Sequence, residues 1–134
     1  AGARAQDQLP LFYAAADVVT MPSHYESFGM AALEGLACGR PVVATSAGGP
    51  AFVIEDGVSG LLTPPDNAAA LADRLERLLA DDQLRIQMGT AAGDRAQRFG
   101  WPSVACDILR VYRETLEQST LSRSVALLPR AEAC

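Results

Sequence analysis

Lysine is missing from this sequence: its 11 basic residues are all arginines, set against 16 acidic ones for a formal net charge of -5. No arginine cluster offsets that charge, which argues against a nucleic-acid-binding surface. Histidine occurs once, as His24, and cannot build a metal site alone. Cysteine is scarce, and Cys38, Cys106 and Cys134 are far apart with no C-x-x-C pair. A zinc framework or a disulfide scaffold is thereby disfavoured, and a reduced, cytoplasmic setting fits. No apolar run approaches the roughly 20 residues needed to span a bilayer. The first residues show no basic segment followed by an apolar one, so no signal peptide is visible. The glycine fingerprint G-x-G-x-x-G is absent, and no serine lies in a nucleophile elbow.

What remains is a globular composition, 49% hydrophobic and 20% charged over 134 residues, enough for one domain. Strand-like runs at 18–21, 41–45 and 60–63 alternate with helical patterns at 29–38, 67–79, 82–98 and 102–117. A short helical spacing of Leu9, Phe12, Tyr13 and Ala16 precedes the first strand. Gly39 reads as a helix C-cap, Pro41 as a stop and Asp66 as the N-cap of the helix at 67. Strands separated by helices predict an α/β fold with a parallel sheet. Three strands are few for such a sheet, so residues 1–118 read as the second half of a doubly wound, Rossmann-like domain. Residues 119–134 carry weak pattern and read as a loosely attached tail.

The most informative stretch is Glu26-Ser27-Phe28-Gly29-Met30-Ala31-Ala32-Leu33-Glu34. It follows the first strand, in the position where open α/β sheets bind ligands. From Phe28 to Gly39 the one charged side chain is Glu34, a costly arrangement unless the carboxylate finds a partner. The helix start at Phe28, Gly29 and Met30 offers free N–H groups and partial positive charge to a phosphate, and Gly29 would let a ligand lie against bare backbone. From Met30 to Glu34 the helix rises about 6 Å. A diphosphate at the helix start could therefore carry a sugar towards Glu26 and a ribose towards Glu34, each carboxylate accepting from a pair of hydroxyls. Structural readings compete. Ser27 suits an ordinary N-cap, Glu26 a loop carboxylate near the helix dipole, and Glu34 a solvent-facing edge. Gly48 and Gly49 read first as turn glycines, while His24 and Tyr25 suit the pocket rim or the plain surface.

Taken together, Leu9-Pro10 with Phe12-Tyr13-Ala14-Ala15-Ala16-Asp17-Val18, Pro22-Ser23 with Glu26-Ser27-Phe28-Gly29, and Leu33-Glu34 with Ala37-Cys38-Gly39 and Pro41-Val42-Val43-Ala44-Thr45 resemble the family 4 glycosyltransferases. The likeness continues through Gly48-Gly49, Asp56-Gly57, Gly60-Leu61-Leu62 and Phe99-x-Trp101, over roughly residues 8 to 117. Within the family the texture is similar to sucrose-phosphate-synthase-like and inositol-phosphate-glycosyltransferase-like bacterial members. The resemblance implies the C-terminal portion of a GT-B fold and transfer of a sugar, with retention, from a nucleotide-diphosphate donor to an acceptor hydroxyl. It implies no cofactor and no obligatory metal. By position, Glu26 is similar to the catalytic-site glutamate that contacts the donor sugar. Ser27, Phe28, Gly29 and Met30 match the segment that meets sugar and diphosphate, and Glu34 matches the ribose-binding glutamate.

The family's glycine-rich strand–loop, its Arg/Lys pair for the diphosphate and its N-terminal acceptor domain have no counterpart in these residues. Pro50-Ala51-Phe52 stands where a glutamate often follows the two glycines. These departures lead us to expect a chain that alone binds donor weakly and transfers nothing. The alternatives are an inactive, truncated nucleotide-sugar-binding module and a GT-B-like sugar-nucleotide epimerase relative. We further expect Glu26 and Glu34 to face one cleft at the carboxyl edge of the sheet, with the amides of Gly29 and Met30 between them.

Overall fold

A computed structural model describes residues 2–126, with side chains described through residue 118. Residues 2–98 form one compact unit and the chain from 99 onward a second. In the first, strands β1 (Val19–Met21), β2 (Val42–Thr45) and β3 (Gly60–Thr63) pair in that order, all parallel. The register sets Val19 against Val42 and Val42 against Gly60. The helices are α1 (Leu9–Ala15), α2 (Met30–Ala37), α3 (Pro50–Val53), α4 (Ala68–Ala80) and α5 (Asp82–Gln97). The expected α/β architecture and its parallel pairing are present. The four-residue helix α3 was not expected; its apolar run is too short for periodicity to declare it.

The central strand β2 is buried along its whole length, as a strand covered on both faces must be. Val43 and Leu61, neighbours across the β2–β3 register, pack with Leu78 of α4 and Met88 of α5, and Val18, Leu71, Leu75 and Leu84 surround them. The α4 stripe is narrower than its sequence suggests, because Leu79 is exposed. On α2 the buried residues are Ala32, Gly35 and Leu36. A Cβ at Gly35 would stand 3.1–3.3 Å from the Val19 side chain, so its absence lets α2 lie close on β1.

Gly39 ends α2 as expected, with φ 68°. The Gly39 amide bonds to Leu36 O at 2.9 Å and the Arg40 amide to Gly35 O at 3.1 Å, the paired bonds of a Schellman motif. The cap of α4 differs from expectation. Asn67, not Asp66, accepts from the Ala70 amide at 2.9 Å. Asp66 sits in the left-handed region at φ 57°. That conformation ends the Pro64-Pro65 turn and spends the carboxylate elsewhere, so the next residue takes the cap. The two side chains cap equally well, which is why composition could not separate adjacent positions.

In the second unit, α6 (Trp101–Ala126) runs past the expected end near 117. Arg110 pairs with Asp107 at 2.9 Å and Glu114 at 3.6 Å along it, while Trp101, Ile108, Tyr112 and Leu116 are exposed. The remainder of the expected tail, 127–134, lies outside the described residues. Among the described residues no helix is long and apolar enough to cross a membrane.

The cap assignment predicts that Asn67→Ala costs about 0.5–2 kcal/mol of stability. Asp66→Asn, which keeps a residue tolerant of positive φ, is expected to stay within about 0.5 kcal/mol of the parent. Denaturant unfolding of both variants checks the contrast.

Candidate functional site

The loop after β1 carries Glu26 along the carboxyl edge of the sheet and is tied there by backbone and side-chain bonds. The Glu26 amide donates to Ala47 O at 3.3 Å, and the Gly49 amide donates to Glu26 O at 2.7 Å. Glu26 and Gly48 thus form a parallel bridge beyond the end of the sheet. The Thr45 hydroxyl donates to Ser23 O, adding a third tie. The two loops approach so closely that a Cβ on Gly49 would lie 2.2 Å from both Cα and O of Phe28. One on Gly48 would lie 2.2 Å from Glu26 O. These glycines therefore act as the seat of the 26–28 loop, in agreement with their turn reading.

Within that loop, Oε1 of Glu26 accepts from the Phe28 amide at 3.4 Å. Helix α2 then starts at Met30, with Gly29 as its N-cap at φ 94° and no side-chain cap bond. This corrects the assignment of Ser27, an exposed residue two positions ahead of the N-cap. The first intrahelical bond is Leu33 N–H to Gly29 O at 3.0 Å. Gly29 is also not the open patch of backbone expected from its lack of a side chain. It is buried, and the direction of its missing Cβ points at Met21 Cε and Pro50 Cγ, each 3.5 Å away. The left-handed φ favours glycine here, while the 3.5 Å approaches to Met21 and Pro50 are ordinary packing distances. Met30, by contrast, is exposed.

Glu34 lies one turn into α2, half-buried. Its Oε2 accepts from the Tyr13 hydroxyl of α1 at 2.9 Å. An outward-facing Glu34 paired with a surface arginine would have excluded a ribose role; the partner is instead a neutral phenol from the neighbouring helix. Sequence reasoning missed Tyr13, counting it with the apolar residues of α1. The available signal was the solitary charge on α2, which demanded a donor nearby.

His24 and Tyr25 stand at the rim. Tyr25 is exposed, and His24 Nδ1 pairs with Asp66 Oδ1 at 2.6 Å, both side chains exposed. Pro22, His24, Thr45, Thr63 and Asp66 help to line a cleft of about 260 Å³ at the carboxyl edge. A larger cleft of about 490 Å³, lined in part by Asp17, Arg40, Asp82 and Arg85, opens at the amino edge. Neither of these two clefts is lined by Glu26 or Glu34, so neither is the shared cleft expected for the two carboxylates. Arg85 is engaged with Asp82 and with the Leu78 and Leu79 carbonyls, while Arg40 donates from one terminal nitrogen to Ala14 O and keeps a buried Nε with no hydrogen-bond partner. Among the described residues no group of three or more His, Cys, Asp and Glu could hold a metal ion.

The Tyr13 hydroxyl is pushed up from 10.0 to about 12, first by burial, then by its hydrogen bond to Glu34 and the negative charge of that carboxylate, and last by Cys38. The fold favours the neutral phenol. Its stabilising contribution is complete below pH 10 and is lost as pH rises through about 12. Absorbance at 295 nm, taken as wild type minus Tyr13→Phe, is expected to titrate near 12. Glu34→Gln should lower that midpoint but leave it above 10, because burial is the larger cause.

Residues 1–95 match the family model "Glycosyl transferases group 1". The chain is 44% identical over 120 residues to D-inositol 3-phosphate glycosyltransferase of Streptomyces bingchenggensis, covering 90% of this chain and 26% of that protein. It thus spans about a quarter of the length of the curated relatives it matches. Among solved structures it superposes on sucrose-phosphate synthase from Thermosynechococcus elongatus with TM-score 0.78 and 37% identity, covering 88% of this chain and 30% of that one. Anabaena Alr3699/HepE in complex with UDP-glucose gives 0.75 and 34%, covering 85% and 31%. The C-terminal domain of the group 1 family protein LpcC from Francisella tularensis gives 0.66 and 33%, covering 72% and 50%. The chain therefore belongs to the glycosyl transferases group 1, and its parallel α/β unit is a C-terminal portion of the GT-B fold.

Proposed function

We propose that these residues form the donor-binding part of a retaining, family 4-type glycosyltransferase, which moves a sugar from a nucleotide-diphosphate donor to an acceptor hydroxyl. The observation that carries this reading is the start of α2: a helix N-terminus with no side-chain cap, preceded by Glu26 and followed one turn later by Glu34. Uncapped N–H groups and the helix dipole suit a diphosphate, whose charge grows as the glycosidic bond breaks. Glu26, fixed through its backbone to Ala47 and Gly49, is placed to accept from donor-sugar hydroxyls. Within residues 27–30 the Phe28 amide already meets Glu26 Oε1 and Gly29 is buried. The diphosphate would therefore rest chiefly on the amides from Met30 onward in the first turn of α2, and Glu34 would accept from the ribose. That a structural neighbour was captured with UDP-glucose supports the donor class. No metal enters the scheme; of the groups that would stabilise the leaving diphosphate, these residues supply backbone N–H groups.

The sheet supplies rigidity rather than chemistry. Because the Glu26 loop is hydrogen-bonded to the loop after β2, the Glu26 backbone is held in place ahead of the helix start. Such preorganisation aids catalysis, since donors already in place need not reorganise as charge develops. An epimerase would need acid–base groups at the sugar. The single histidine is engaged with Asp66, and nothing else favours that reading.

We further propose that residues 1–118 are the donor-domain portion and that these 134 residues alone do not catalyse transfer. Charge-assisted hydrogen bonds contribute about 1.5–3 kcal/mol each. Lacking two such bonds from a basic pair would weaken donor binding on the order of a hundredfold. Titration with UDP-, GDP- and ADP-sugars by ligand-observed NMR, beside a turnover assay, is expected to give binding weaker than micromolar and no transfer. Glu26→Gln and Glu34→Gln should each weaken that binding about tenfold or more. Micromolar affinity, measurable transfer, or indifference to both substitutions would contradict the proposal.

A further inference from the structure

We propose that Tyr13 is a positioning residue for the nucleotide ribose: its hydroxyl holds the Glu34 carboxylate in the plane that accepts a vicinal diol. The inference rests on the reading of Glu34 as the ribose ligand and adds to it a residue from a different helix. The bond is direct, Tyr13 Oη to Glu34 Oε2 at 2.9 Å, between two half-buried side chains.

Carboxylate chemistry makes this arrangement useful. An ionised glutamate has two oxygens and about four acceptor sites. Tyr13 occupies one site on Oε2 and leaves Oε1 whole, together with the second site on Oε2. Two adjacent hydroxyls can therefore still bridge the two oxygens. A free glutamate would have to surrender its rotamer freedom when the diol arrives. Here the phenol has already fixed the side chain, so less freedom is lost on binding. With its hydroxyl pushed up to about 12, Tyr13 remains a hydrogen-bond donor across the physiological range.

The mounting of α1 suits the task. The Arg40 guanidinium, just beyond α2, donates to Ala14 O, and the Cys38 thiol at the end of α2 approaches Pro10 O at 4.0 Å. The Arg40 bond ties the end of α1 to the residue beyond α2, and the Cys38 approach is a packing contact beside it. A tyrosine serving only to fill space between the helices would leave its hydroxyl to solvent. This one meets the single charged side chain of α2.

The test compares UDP, GDP and ADP with their 2′,3′-dideoxy counterparts on the 134-residue chain, with affinity read by ligand-observed NMR. Wild type should prefer the ribonucleotides. Tyr13→Phe should weaken their binding about fivefold, the effect of one hydrogen bond, and leave the dideoxy compounds unchanged. It should cause no further loss in a Glu34→Gln background. Glu34→Asp retains the charge but withdraws it from Tyr13 by one methylene. It should erase the same preference, independently of how Tyr13→Phe folds. Equal losses for ribo and dideoxy compounds would make Tyr13 merely structural and overturn the proposal. So would an unchanged ribonucleotide affinity in Tyr13→Phe, or a preference intact in Glu34→Asp. If Glu34→Gln leaves the preference intact, or none of the six nucleotides binds at 10 mM, the ribose reading of Glu34 itself falls and takes the proposal with it.

Discussion

The backbones of Phe28 and Gly49 meet with no room for a Cβ between them, and the rest of the site depends on that contact. It seats the loop after β1 on the loop after β2, where the Gly49 amide bonds to Glu26 O at 2.7 Å. Once Glu26 and Phe28 are held, Gly29 must turn through φ 94° to enter α2, wedged between Met21 and Pro50. Pro50 begins α3, whose far end is fixed in turn by Arg95 of α5, which donates to Phe52 O at 2.7 Å and Val53 O at 3.0 Å. The position of the helix start is thus set by strand, loop and two helices together. Loop flexibility has little part in it.

A second constraint comes from charge. An apolar helix with one carboxylate must either turn that group to water or give it a donor. Here a donor is given, by a short helix that would otherwise read as filler before β1. The result leaves Glu34 oriented and still able to accept more hydrogen bonds. The amino-edge cleft, larger in volume, commits Arg85 to an aspartate and to carbonyls of the chain itself, and Arg40 in part to Ala14 O.

Much of the architecture was legible because each element announces itself over several residues. Val18-Val19-Thr20-Met21 and Pro41-Val42-Val43-Ala44-Thr45, separated by an apolar helix, leave parallel pairing as the economical solution. Gly39 was recognisable as a helix end because few other residues adopt its φ. Single-residue assignments were less legible. Asp66 and Asn67 cap equally well in isolation, and only the turn after Pro64-Pro65 decides between them. Ser27 looked like a cap because the true start at Met30 is set by packing around Gly29. Gly29 itself was read as an opening for ligand; the residue is buried, and its φ of 94° accounts for the glycine. Tyr13 escaped notice because helical spacing marks a face, whereas its role depends on which side chain the next helix brings opposite.

The central claim is that the uncapped start of α2, between Glu26 and Glu34, receives the diphosphate of the donor. Amide-resolved NMR of the 15N-labelled chain in excess UDP-glucose tests it most directly. The account predicts that the largest shift changes fall on residues 27–31 and on Gly48 and Gly49, with smaller ones at Tyr13 and Glu34. Shifts concentrated instead around Asp17, Arg40 and Arg85 at the amino edge, with the α2 start unmoved, would contradict it.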